Sequence, residues 1–137
     1  MRALKILAVL IALAALGKLL GGAGPRTLSA TEVARELAQR VRLPMDLGDG
    51  FRLDSIEASG QDIVSTVSLL DMPPGSLPAA ARAPLEAASR SDTCREINAG
   101  GGAVKQTLVH SRLRMVKRYL DAQGGVLLEV AVDPGSR

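Results

Sequence analysis

The sequence predicts an α+β domain, with an antiparallel sheet of about four strands in two hairpins packed against two or three helices, in the order α-β-β-α-(α)-β-β. Three observations carry this expectation. A segment near residue 30 repeats apolar residues at helical spacing behind a capping signal. Two later segments, 51–70 and 112–132, alternate apolar and polar residues around turn-forming centres. Between them, an alanine-rich stretch is bounded by a proline-rich loop and a glycine run.

Ser29 and Glu32 have the spacing of a capping box, which satisfies two of the free N–H groups at a helix start. Val33, Ala34, Leu37, Ala38 and Val41 then share one helical face, and Glu32, Arg35, Glu36, Gln39 and Arg40 share the other. Pro44 ends the helix near Leu43, because a proline disfavours helical backbone in the residue before it. Asp46 to Gly50 reads as a turn. The run from Phe51 to Ala58 is strand-like, but Phe51 and Leu53 differ in parity from Ile56 and Ala58. A bulge near Asp54 or Ser55 would reconcile them. Ile63 to Leu70 forms the second strand of this hairpin, across Gly60, Gln61 and Asp62.

Met72 to Pro78 holds three prolines and a glycine and is a loop. Ala79 to Asn98 is helical in composition, with Pro84 starting or kinking a helix. Leu85 and Ala88 do not share a face with Cys94 and Ile97, so a break is expected near Ser91 and Asp92. Ala99 to Gly102 stops the helix, and Val104 to His110 has room for a helical turn or two. Arg112 to Leu120 reads as a strand, with Leu113, Met115 and Tyr119 inward and Arg112, Arg114 and Arg118 on the other face. Asp121 to Gly125 is a hairpin turn, and Val126, Leu128, Val130 and Val132 point inward from the last strand.

The 137 residues divide into a signal peptide or N-terminal membrane anchor (1–24), a linker (25–29), the α+β domain (30–133) and a tail (134–137). Arg2 and Lys5 precede an apolar run from Ile6 to Gly17, which is the length of a signal-peptide core and shorter than a bilayer helix. Gly21 and Ala23 follow at the spacing a signal peptidase favours. A spanning anchor would have to continue through Lys18 to Leu20. Either reading places the domain on the outer side of the membrane; the third reading is a buried helix of a cytosolic fold.

Composition excludes several function classes. Phe51 and Tyr119 are the aromatic residues and there is no Trp, so base stacking and aromatic recognition of sugars or choline lack their side chains. The net charge of +3 comes from Arg2, Lys5 and Lys18; the other 14 Lys and Arg balance 14 Asp and Glu. A nucleic-acid partner is therefore not expected. His110 is the single histidine and no Cys or His lies at ligand spacing, so no metal or other cofactor is expected. No G-x-S-x-G elbow is present, and Gly100 to Gly102 lacks the Gly-Lys-Ser/Thr of a phosphate loop. Cys94, the lone thiol, cannot close an intramolecular disulfide and is expected to be buried. The candidate partner-binding residues are Arg112, Arg114 and Arg118 on the basic strand and Arg35 and Gln39 on the first helix. The basic strand has the alternative role of a solvated edge that resists aggregation.

Across residues 27–132 this layout resembles the α/β pilotins of type II secretion, small secreted envelope domains. The resemblance rests on Cys94 after the second helix, the Arg112 to Leu120 strand and the Asp121 to Gly124 turn. Pilotins are lipoproteins, whereas this chain has no cysteine at the end of its apolar run. Their helix-end cysteine pairs with a second one near the C-terminus, and Asp133 to Arg137 contains none. The resemblance implies an envelope compartment and an accessory role.

The expected function is a non-catalytic accessory or binding domain, periplasmic or membrane-tethered, in an envelope or secretion assembly. An envelope protein would be its partner, and the membrane would be contacted through the N-terminal segment if that is uncleaved. Binding would be helix-in-groove or strand-edge, using the first helix or the terminal hairpin. The alternatives are a small-ligand-binding or enzyme-inhibitor domain and, third, an enzyme using Cys94.

Overall fold

Ser29 opens the first helix, α1 (Ala30–Gln39), in the way its spacing with Glu32 requires. Its Oγ accepts from the Glu32 N–H at 3.1 Å, and Glu32 Oε1 accepts from the Ser29 N–H at 2.9 Å. Those bonds hold the Glu32 carboxyl below its ordinary pKa. Ala30, Val33, Ala34 and Leu37 are buried, as the apolar stripe predicts. The computed structural model describes residues 28–48, 50–72, 77–99 and 102–135. The expected signal peptide or anchor and most of the linker lie outside the described residues.

Five strands follow α1 in one sheet: β1 (Met45–Gly48), β2 (Phe51–Ser59), β3 (Asp62–Leu69), β4 (Arg114–Leu120) and β5 (Val126–Val132), ordered β1-β2-β3-β4-β5. Helices α2 (Ala79–Ala99) and α3 (Gly102–His110) lie between β3 and β4. Among the described residues the domain is α+β with three helices, but its sheet is mixed. β3 and β4 run parallel, with Ile63 beside Met115 and Val67 beside Tyr119, and the other pairs are antiparallel. This corrects the all-antiparallel expectation. Two helices between the hairpins form the long crossover that returns a chain to the same end of a sheet, which is what parallel pairing needs.

β1 is absent from the sequence reading. Asp46 and Gly48 suggest a turn, yet Met45 pairs with Leu53 and Asp46 with Arg52, and Leu47 is buried. Pairing with β2 overrides a weak local preference. The expected bulge is present: the β2–β3 register shifts between Leu53 and Ser55, which returns Ile56 to the core side. In β5, Leu128, Val130 and Val132 are buried, but Val126 is 60% exposed and Leu127 is buried instead. The register slips between Tyr119 and Leu120, so Leu120 sits opposite Val126, and the simple alternation fails there. Asp121 fixes the turn before β5; its Oδ1 accepts from the N–H groups of Gln123 and Gly125, each at 2.9 Å.

The three described helices join the core on one face of the sheet. Leu53, Ile56, Ile63, Val67, Met115, Tyr119, Leu128 and Val130 form a single cluster with α1 residues and with Ile97, Val104 and Leu108. α1 covers β2 and β3, while α2 runs along β5. The break expected near Ser91 does not occur, and Pro84 lies inside one continuous helix. Apolar periodicity alone suggests a break there. The buried residues of α2 are Ser89, Thr93, Glu96 and Ile97, so most of its docking stripe is polar.

Candidate functional site

The basic strand begins two residues later than expected. Arg114 and Arg118 project from β4 on the face opposite the helices, alternating with Met115, Lys117 and Tyr119 on the core side. Both arginines are already paired. Arg114 Nε and Nη2 donate to the two carboxylate oxygens of Asp62 at 2.8 and 2.9 Å, and Arg118 Nε donates to Glu129. Next to them, Asp54 accepts from Arg52 and Ser68. Val64 and Val116 are buried on this face beside the ion pairs.

Arg112 is not in the strand. It follows α3 with a φ of 57°, in the left-handed region. The Arg112 N–H donates to the Val109 carbonyl at 3.1 Å and the Leu113 N–H to the Leu108 carbonyl at 3.0 Å. Leu108 and Leu113 are both buried. This is a Schellman cap, and Arg112 holds the position where glycine is favoured. A non-glycine residue there costs about 1 kcal/mol. Arg112→Gly is therefore expected to stabilise the domain by about 1 kcal/mol, seen in urea as a higher midpoint with an unchanged slope. An unchanged or lower midpoint would mean that the side chain contributes stability of its own.

The Arg112 side chain is exposed and makes no ion pair among the described residues. It borders an open depression of about 420 Å³ with Gln61, Val109, Leu113, Arg114 and Asp133. Val109 is 44% exposed. Asp133 accepts from the Gly135 N–H at 2.9 Å. The depression lies at the end where β3 and β4 begin. The chain enters the domain here too, with the Leu28 N–H donating to Ser111 Oγ at 2.9 Å.

Arg35 and Gln39 are exposed on the outer side of α1. They lie on the helix-covered side of the sheet, whereas Arg114 and Arg118 lie on the other, so the candidate binding residues form no single patch. The edge of the terminal hairpin is occupied as well. Arg82 Nη1 donates to the Leu127 carbonyl at 2.9 Å and Arg90 Nη1 to the Ala131 carbonyl at 2.8 Å. Two guanidinium groups two helical turns apart thus cap carbonyls four residues apart along the edge strand, a rise of about 12 Å matched to about 13 Å.

A buried polar cluster lies beneath α2, and sequence reasoning missed it. Lys117 Nζ donates to Glu96 Oε2 at 2.8 Å, with side-chain exposures of 12% and 1%. Glu96 Oε1 is buried without a hydrogen-bond partner. The Tyr119 hydroxyl donates to Ser89 Oγ at 2.9 Å, and Thr93 Oγ1 donates to the Ser89 carbonyl. Burial pushes the Glu96 carboxyl and the Tyr119 phenol above their ordinary values, and for Glu96 desolvation outweighs the attraction of Lys117. The available signal is Lys117 on the inward parity of its strand, with a glutamate on the alanine-rich helix α2.

Cys94 is half-buried rather than buried. The docking stripe of α2 passes through Thr93 and Ile97 and leaves the thiol at its flank. It lines a depression of about 250 Å³ with Ile97, Asn98, Lys105, Val132, Asp133 and Pro134. Among the described residues, no group of three His, Cys, Asp or Glu side chains is placed to hold a metal ion, and no helix is long and apolar enough to cross a membrane.

No family model and no curated protein sequence matches the chain. Two solved structures share its fold. One is the pilotin EpsS of the Vibrio vulnificus type 2 secretion system, with a TM-score of 0.56 and 17% identity over 78% of this chain and 86% of that one. The other is a secreted protein of Pseudomonas aeruginosa, so described without an assigned role, with a TM-score of 0.53 and 13% identity over 78% of this chain and 91% of that one. The likeness to pilotins read from element order therefore holds at the level of the fold.

Proposed function

We propose that the chain is a non-catalytic accessory domain of the cell envelope that binds a protein partner at the Arg112 end of its sheet. The observation that carries this reading is the fold shared with a secretion pilotin across most of both chains. The N-terminal sequence agrees, with two cations ahead of an apolar run. Arg112 supports the choice of surface. It is an exposed guanidinium at a position where glycine would be more stable, beside an exposed valine and an open depression. Strained residues without a structural benefit concentrate at functional positions. Arg114 and Arg118 are less available, because a partner would first have to displace Asp62 and Glu129. Arg35 and Gln39 offer a second surface on α1.

Capture through a C-terminal tag after crosslinking in intact cells tests this reading. One dominant envelope protein is expected, with recovery reduced at least about tenfold by Arg112→Glu, which reverses a charge at the contact. Equal recovery with Arg112→Glu and loss with Arg35→Glu would move the interface to α1. Recovery of the chain alone would contradict the proposal.

A further inference from the structure

We propose that α2 is a releasable cover, latched to the sheet by polar contacts, which undocks as a unit while α1 and the five strands stay folded. The two helices that cover the sheet are held differently. α1 buries four apolar side chains among the residues of one core. α2 is twice as long, with 21 residues, yet Ile97 is its one buried apolar side chain, with half-buried Leu85 and Cys94 packed against the core beside it. It is fastened instead by four directional contacts to the strands: Arg82 and Arg90 to carbonyls of β5, Ser89 to Tyr119, and Glu96 to Lys117.

These two kinds of docking respond differently to opening. Apolar area removed from water favours the closed state in proportion to its size. A polar contact exchanged for water is close to neutral, and a buried ion pair is penalised by the desolvation of both charges. Glu96 bears that penalty with one oxygen unpartnered. Opening rehydrates Glu96, Lys117 and Tyr119 together. It also frees the Leu127 and Ala131 carbonyls, so the edge of β5 can accept a strand in the open state and cannot while Arg82 and Arg90 occupy it. Elements held by few buried apolar contacts are those that open locally. This inference is independent of the partner surface at Arg112.

Amide hydrogen exchange on the full chain at neutral pH, read by mass spectrometry for each element, tests the cover. Amides of 82–97 are expected to exchange at least about tenfold faster than those of β2, β3 and β4, whose rates report global unfolding. In Glu96→Ala the α2 amides are expected to accelerate at least a further tenfold, and those of β2 and β3 by no larger factor, because global unfolding also breaks the latch. In Ile63→Val, a change in the sheet core, the β2 and β3 amides are expected to accelerate about threefold or more while the α2 rates change less than about twofold. The pair Glu96→Leu with Lys117→Met is expected to restore α2 protection. Equal rates for α2 and β3 in the wild-type protein would overturn the proposal, and so would parallel acceleration of both in Ile63→Val. If Glu96→Ala fails to fold, the wild-type ratio and the double variant decide the question.

Discussion

Glu96→Ala is expected to cost about 3 kcal/mol, whereas Glu96→Leu combined with Lys117→Met is expected to be neutral or stabilising. The single change removes the carboxylate to which the Lys117 ammonium, 12% exposed, donates beneath α2. The double change removes both charges and fills their space with side chains of similar volume. Urea unfolding of the three proteins measures the difference. The loss seen in global unfolding is capped by whatever free energy holds α2 down, so a smaller loss accompanied by faster α2 exchange has the same cause. A double variant as unstable as the single one would contradict the account, because it would make the ion pair a net source of stability.

The pH dependence has a definite sign. Glu96 has a raised pKa in the folded protein, with burial as the first cause. Its contribution to stability is therefore full below the unfolded value and is lost as pH rises through the folded value. The charges that face it are Lys117 from β4 and Asp92 and Arg95 from its own helix, with Tyr119 nearby on β4. Once protonated, the carboxyl still accepts from Lys117 through its carbonyl oxygen. Acidification from neutral pH toward the ordinary glutamate range should therefore tighten α2, and Glu96→Gln should remove that part of the dependence.

The second large effect lies in the apolar core. Ile63→Ala is expected to cost about 3–5 kcal/mol, near the top of the range for large-to-small core changes. Ile63 is fully buried on the central strand β3, between Ala58 and Met115, and has no solvent-facing side on which the site could collapse. With Tyr119 the one buried aromatic residue of the two in the sequence, the core is aliphatic and each branched side chain carries a large share of it. Val126→Ala, at a residue 60% exposed in β5, should stay within about 0.5 kcal/mol and serves as the comparison. A loss at Ile63 no larger than at Val126 would contradict the placement of the core on this face.

Where apolar periodicity dictates the structure, the sequence is readable. The capping box and stripe of α1, the bulge between Leu53 and Ser55 and the Asp121 turn all follow from local patterns. Where pairing or polar docking dictates it, the local pattern misleads. β1 is held by β2 against its own preferences, and the parallel β3–β4 pairing depends on the direction of a distant chain segment. The α2 face is hidden because Ser89, Thr93 and Glu96 occupy positions where a core-facing helix normally carries apolar residues. For the candidate site, the sequence singled out Arg112, Arg114 and Arg118 as one basic row. The structure separates Arg112 from the two paired arginines through a helix cap that no periodicity encodes.

A photocrosslinking side chain placed at Arg112 in intact cells, beside controls at Arg35 and at Glu129, tests the partner surface most directly. The account predicts one strong adduct with an envelope protein from position 112 and little from position 129. Position 35 should give the same adduct only if α1 shares the interface. Equal adducts from all three positions, or an adduct from position 129 alone, would contradict it.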